Sequence, residues 1–114
     1  MNCFDKTQRL LKKSDYDCVF AQAKKMVTPE FVILHCANSL GKSRLGLALS
    51  KKMIPKAHDR NRLKRLLREA FRTTPLPAVD IIFLAKHGAA KVENRIVLAR
   101  LSTTWKKLVT LYGA

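Results

Sequence analysis

One stretch constrains this chain more than any other: Arg60-Asn61-Arg62-Leu63-Lys64-Arg65-Leu66-Leu67-Arg68-Glu69-Ala70-Phe71-Arg72. At the helical repeat, Leu63, Leu66, Leu67, Ala70 and Phe71 fall at i, i+3, i+4, i+7 and i+8, a single apolar stripe. Asn61, Arg65, Arg68 and Arg72 lie opposite, at i, i+4, i+7 and i+11, with Lys64 beside them. Arg62 sits further round and Arg60 near the apolar boundary. Such a helix must pack its seam on something while keeping its guanidinium groups out of the core, because a charge buried without a partner is very costly. Lys51, Lys52 and Lys56 lie just upstream, so residues 51–72 hold nine Lys or Arg against two carboxylates, Asp59 and Glu69. Local pairs such as Arg65–Glu69 are expected, but the carboxylates are too few to neutralise the row. The face therefore calls for a polyanion.

The rest of the chain strengthens that requirement. Its net charge is +15 over 114 residues, and self-repulsion of that size opposes compaction unless phosphates offset it. A hydrophobic content of 47% is nonetheless enough for one domain, residues 1–114, with a real core. An anionic membrane surface is the competing partner. The basic helix, however, has mainly Arg on its polar face and no Trp on its apolar one, which favours nucleic acid over lipid. Residues 1–13 lack the apolar segment of a signal peptide, and no stretch approaches the length of a membrane span. Cys3, Cys18 and Cys36 are odd in number and fit no zinc or CxxC spacing, so reduced thiols and a cytoplasmic location are expected.

In chain order, residues 1–13 read as a loose basic arm carrying Lys6, Arg9, Lys12 and Lys13. Ser14 and Asp17 resemble a capping pair for a first helix over residues 14–25, with Tyr16, Val19, Phe20 and Ala23 as its apolar stripe. Phe31 to Ala37 is β-prone and mostly apolar on both faces, and a short edge strand near Val27 is compatible with Pro29. Asn38 to Lys42, with Gly41, reads as a hairpin connection. From Arg44 to Ser50, Leu45, Leu47 and Leu49 point one way and Gly46, Ala48 and Ser50 the other. The small side leaves room for the first helix or for a ligand backbone. The basic helix starts at Ala57, or after Asp59 as its N-cap, and stops by Thr74 because Pro75 follows. Val79 to Ala85 reads as a strand buried on both faces, Lys86 to Lys91 as a turn through Gly88, and residues 93–111 as a last helix burying Val97, Leu98, Leu101, Trp105 and Leu108. The fold class is α+β, with strands 44–50 and 79–85 as parallel neighbours. The general rule makes their crossover right-handed.

Gly46-Leu47-Ala48-Leu49-Ser50-Lys51-Lys52 followed by Ala57-His58-Asp59-Arg60-Asn61-Arg62-Leu63-Lys64-Arg65 resembles the bacterial ribonuclease P protein family, with its Arg-Asn-Arg motif on a basic helix. The resemblance extends to Arg9-Leu10, Tyr16, Val19-Phe20 and Asp80 to Lys86, and so to nearly the whole chain. It implies an α/β sandwich related to a ribosomal-protein domain, with an unusual left-handed βαβ crossover in place of the right-handed rule. It implies a large catalytic RNA as partner, which removes the 5′ leader of precursor tRNA with Mg2+ bound mainly by the RNA, and no obligatory protein partner. By matching position, Lys51, Lys52, Arg60, Asn61, Arg62, Lys64, Arg65 and Arg68 would bind the catalytic RNA. Tyr16, Phe20 and Phe31 would line the leader cleft. Leu34 stands where some members of the family carry an aromatic.

Other chemistry is less well supported by the residues. His35, His58 and His87 invite a reading as a metal-free ribonuclease, but they are scattered over a strand, a helix entry and a loop. No ligand pair has zinc spacing. Trp105 lies in an apolar stripe and reads as core. A helix-turn-helix DNA reader would need a second helix just before the basic one, where residues 44–50 alternate like a strand. A ribosomal or general RNA-binding protein without a processing role is the alternative that shares the charge and the helix.

Overall fold

The computed structural model describes residues 19–38 and 42–113. Residues 19–22 are helical (α1) and are followed by β1 (Lys24–Val27), β2 (Phe31–Ala37), β3 (Arg44–Ala48), α2 (Ala57–Arg72), β4 (Val79–Ala85), a 3-10 turn (Ala89–Lys91) and α3 (Asn94–Tyr112). The strands form one sheet in the order β1-β2-β4-β3. β4 runs antiparallel to β2, from Phe31 opposite Ala85 to Ala37 opposite Val79, and parallel to β3. The run Val79 to Ala85 is apolar on both faces because it has a layer on each side.

On one face Phe31 and Ile33, Leu45, and Val79, Ile81 and Phe83 meet Leu63, Leu67 and Phe71 of α2 and Val97, Leu101, Trp105 and Leu108 of α3. Phe31–Phe83, Phe83–Trp105 and Trp105–Phe71 stack edge to face with centroids 5.6, 5.8 and 6.3 Å apart, tying β2, β4, α3 and α2 together. Burying each of the two leucines and the phenylalanine of the α2 seam contributes about 1.5–3 kcal/mol. On the other face Val19 and Ala23 pack over Ile82, with Leu34, Cys36, Ala48 and Leu84 around them. β3 ends at Ala48, short of the expected Ser50, but the alternation holds within it: Leu45 and Leu47 face the helices and Ala48 lies next to the chain around Val19.

Four expectations need correction. The first helix does not reach residue 25: it ends at 22, because Lys24–Val27 pair with β2 as an edge strand. β2 and β3 do not pair as a hairpin, because β4 lies between them. Residues 39–41, including Gly41, lie outside the described residues, as do Ser14, Asp17, Cys3 and Cys18. Asp59 is not the N-cap of α2; the helix starts at Ala57 and Asp59 lies within its first turn. Leu98 is not in the core but 44% exposed, and Thr104 takes an inward position with its hydroxyl donating to the Arg100 carbonyl at 2.9 Å. Leu98 sits at the edge of the stripe, about 60° from Leu101 around the axis.

Polar groups fix the ends of these elements. Thr73 Oγ1 donates to the Glu69 carbonyl at 2.9 Å and Thr74 Oγ1 to that of Ala70 at 2.7 Å, satisfying acceptors that the end of α2 leaves open. Asp80, buried at the start of β4, accepts from Arg44 Nε (2.8 Å), Arg44 Nη2 (2.7 Å) and Asn38 Nδ2 (2.8 Å). This bidentate, charge-assisted set holds the facing ends of β2, β3 and β4 in register. Gly88 precedes the 3-10 turn at φ 88°, a conformation that suits glycine. No described helix is long and apolar enough to cross a membrane.

His35 and Tyr112 lock the end of α3 to β2. His35 Nδ1 and the tyrosine hydroxyl share a hydrogen bond at 2.6 Å, and the rings meet edge to face at 5.4 Å. Burial, and secondly the positive charge of Lys24, lower the His35 pKa below its ordinary 6.5. The folded protein thus resists a proton that the unfolded chain accepts. The stabilisation from this site is complete above about pH 6.5 and is lost as the pH falls toward the folded value. Thermal denaturation between pH 7.5 and 5 should show this loss, and His35→Gln should flatten it. A His35→Gln profile as steep as that of the wild type would assign the pH dependence to other groups.

Candidate nucleic-acid interface

Because the seam of α2 is committed to the core, its opposite face is directed to solvent. Asn61, Lys64, Arg65, Arg68, Glu69 and Arg72 line an open groove of about 450 Å³ along the helix. The expected Arg65–Glu69 pair is absent: Glu69 Oε2 instead accepts from Arg72, Nε at 2.9 Å and Nη2 more closely. A carboxylate placed N-terminal to its cation is the better helical arrangement, which favours Arg72 over Arg65. Lys64, Arg65 and Arg68 are left without a carboxylate among the described residues. Lys51 and Lys52 are exposed in a turn closed by Ser50, whose carbonyl accepts from the Ile54 amide at 2.9 Å.

The two arginines of the Arg-Asn-Arg motif behave differently. Arg60 Nη1 donates to the carbonyls of Ile54 (2.8 Å) and Pro55 (3.0 Å), bracing the entry to α2. Arg62 reaches the segment between β4 and α3: Nη2 donates to the Ala90 carbonyl at 2.8 Å, and Nη1 to Asn94 Oδ1 and, at 3.4 Å, to the Val92 carbonyl. Asn61, between them, is exposed on the groove side. Sequence periodicity placed Arg62 away from the row but had no means of finding acceptors some thirty residues downstream.

The residues expected at the leader cleft separate. Phe20 is 49% exposed at the end of α1. Tyr16 lies outside the described residues. Phe31 does not belong with them: it is 1% exposed, packed on Phe83, and on the sheet face opposite Val19. In β2 the alternation that buries Phe31, Ile33 and His35 turns Leu34 and Cys36 to the α1 side, where both are half-buried. Ala48 and Leu84 continue this surface into a groove of about 530 Å³ that also contacts Met53 and Lys64. Lys64 therefore borders both the α2 face and the sheet groove. Sequence reading missed Met53 and Leu84, whose only signal was their apolar character.

His35 is buried, whereas His58 and His87 are exposed on separate elements. Among the described residues no group of three or more His, Cys, Asp or Glu could hold a metal ion.

The fold and this face define a small, highly basic α+β sandwich with a cationic helix along one edge of its sheet. The model of the family described as Ribonuclease P matches residues 4–109, and the chain belongs to that family. It is 61% identical over 113 residues to the ribonuclease P protein component of Legionella pneumophila (strain Corby), covering 99% of both chains. It is 42% identical over 106 residues to that of Escherichia coli O157:H7, covering 91% of this chain and 89% of the relative. Among solved structures, the RNase P protein of Staphylococcus aureus superposes with a TM-score of 0.79 at 27% identity, covering 93% of this chain and 95% of the other. The Thermotoga maritima protein gives 0.77 at 29% identity, covering 87% and 96%.

The different surroundings of these arginines lead to different expected phenotypes. Arg62→Gln should cost about 1–3 kcal/mol of stability, because it leaves carbonyls near α3 without a donor. It should leave the salt dependence of RNA binding close to that of the wild type. Arg65→Ala and Arg68→Ala should do the reverse, each lowering the log–log salt slope by roughly 0.7–0.9 with little change in thermal stability. Thermal denaturation and RNA binding across a salt series measure both. A full loss of one contact's slope in a folded Arg62→Gln protein would place that guanidinium on RNA instead.

Proposed function

We propose that this chain is the protein subunit of a tRNA-processing endoribonuclease, in which a catalytic RNA removes the 5′ leader from precursor tRNA. Family membership supports the assignment to ribonuclease P. The observation that carries the RNA-binding role is the row Lys64, Arg65 and Arg68, cationic and without described carboxylate partners, on a helix whose other side is anchored in the core. In this reading Lys51, Lys52, Lys64, Arg65 and Arg68 bind phosphate oxygens of the catalytic RNA and release its counterions. Asn61 adds a directional hydrogen bond, and Arg60 and Arg62 hold the helix in position.

The leader lies on the α1 side of the sheet, over Leu34, Cys36, Ala48 and Leu84. The small Ala48 and Ser50 beside the leucines let a single strand approach. Phe20, with Tyr16, supplies ring faces on which bases stack without regard to sequence, for about 1–3 kcal/mol per base. Lys64, touching both surfaces, keeps leader and catalytic RNA adjacent. Magnesium takes oxygen ligands, and the α2 face offers mainly ammonium and guanidinium groups. These residues do not suit the ion, and we assign Mg2+ to the RNA partner. The protein's part is to bind, align and neutralise, without cutting the chain itself.

Reconstitution with the catalytic RNA of the same source, assayed on precursor tRNA at low magnesium, tests the assignment. The protein should restore cleavage that the RNA alone performs poorly, while purified protein alone should leave the substrate intact. Phe20→Ala should weaken precursor tRNA selectively, with mature tRNA binding and thermal stability much less affected. A protein that binds RNA yet gives no stimulation would be a general RNA-binding module. Equal weakening of both tRNAs would return Phe20 to a packing role.

A further inference from the structure

The α2 region does not account for all the positive charge. Residues 51–72 carry nine cations and two carboxylates, about half of the net +15. A second concentration occupies residues 24–30 and 86–107. It comprises Lys24, Lys25, Lys86, Lys91, Arg95, Arg100, Lys106 and Lys107, against only Glu30 and Glu93. Both carboxylates are engaged, Glu30 by Arg100 and Glu93 by Arg95. Lys24, Lys106 and Lys107 have no carboxylate partner among the described residues.

Of these, Arg100 and Lys107 line a seam between β1 and α3, and Lys86 Nζ donates to the Thr28 carbonyl there at 3.1 Å. Met26, Val27 and Thr28 form one wall of a groove of about 320 Å³, and Arg100, Thr103 and Lys107 the other. Ile96, Arg100, Thr103 and Lys107 repeat the i, i+4, i+7, i+11 spacing of the row on α2. Arg100 is oriented by the buried Glu30, whose Oε1 accepts from Nε at 3.1 Å. The Arg100 side chain is 46% exposed, so its terminal nitrogens can meet another acceptor. Lys24 lies opposite His35 in the β1–β2 ladder and so shares the helix-covered face of the sheet with it. Arg100 and Lys107, two turns apart, are separated by about 10 Å along the axis, the rise of roughly three stacked nucleotides.

The seam is also remote from the α2 face. β1 and β3 are opposite edges of the sheet; α2 packs beside β3, while α3 reaches β2 and the turn after β1 through Tyr112 and Arg100. One continuous strand on the α2 face does not account for both. The apolar side chains exposed on this side, Val27, Ile96 and Leu111, are single residues set among Arg100, Thr103 and Lys107 and form no continuous apolar face for a lipid surface, while Val97, Leu101, Trp105 and Leu108 are committed to the core.

We propose that the α3–β1 seam is a second RNA-binding strip, in which Arg100, Lys107 and Lys24 contact phosphates of a segment other than the one held by α2. The protein then bridges two parts of its RNA. This rests on the RNA-binding role proposed above and is tested so that the two separate. Arg100 is left intact, because removing it would strand the buried Glu30. Lys24→Gln/Lys107→Gln in the full chain should keep its fold by circular dichroism. Its log–log salt slope for the catalytic RNA should fall by roughly 1.4–1.8, the loss of two contacts. The same decrement should appear in an Arg65→Ala/Arg68→Ala background. An unchanged slope for the seam variant, with a lower one for the α2 variant, overturns the second strip and leaves the α2 assignment standing. Unchanged slopes in both overturn the reading on which it rests. Loss of binding to phosphatidylserine vesicles with RNA binding intact would make the seam a lipid contact and overturn the proposal.

Discussion

The placement of β4 between β2 and β3 is the constraint on which the rest of the structure depends. It pairs with a strand running each way and is covered on both faces, so both halves of the core include its side chains, Val79, Ile81 and Phe83 on one side and Ile82 and Leu84 on the other. The buried Asp80 secures this arrangement, since Arg44 from β3 and Asn38 from the end of β2 both donate to it. A carboxylate so deeply buried is tolerable only with such partners. Once β3 and β4 are parallel neighbours, the chain between them must cross one face of the sheet, and α2 is that crossing.

That crossing converts a charge problem into a working surface. A row of arginines can be neither buried nor neutralised by two nearby carboxylates, and the only stable orientation points it into solvent. The Leu63–Leu67–Phe71 seam supplies the burial that holds it there. Repulsion within the row remains in the free protein and is relieved by phosphates. The aromatic chain from Phe31 to Phe71 makes the support rigid, so the cations are presented on a fixed frame. The sheet groove reached from Lys64 then has a constant relation to the row.

Family membership and the helix pattern point the same way, but they assign charge to residues by position alone. The structure distinguishes cations that look alike in sequence. Arg60 and Arg62 bind backbone carbonyls, Arg72 binds Glu69, and Lys64, Arg65 and Arg68 remain directed outward. The motif therefore contains two arginines that donate to backbone carbonyls, flanking an exposed asparagine. The same distinction separates Arg100, oriented by a buried carboxylate, from Lys107 two turns away.

By itself the sequence determined the element types, the two faces of α2, the alternation in residues 45–49 and the apolar character of Val79 to Ala85. These are properties of local periodicity, and each segment carries its own. Strand order was not legible in this way, because the short connection after Ala37 resembles a hairpin and nothing local reports that β4 will intervene. Nor was the end of the first helix, since Lys24–Val27 become a strand only by pairing with β2. Phe31 looked suited to a ligand cleft by residue type, but the pleat turns it to the helix-covered face and leaves Leu34 and Cys36 on the other. The tertiary structure alone decided that Arg62 donates to backbone carbonyls, because its acceptors come from a segment remote in sequence. Periodicity reports which way a side chain leaves its own element; what it meets there depends on the packing of all the others.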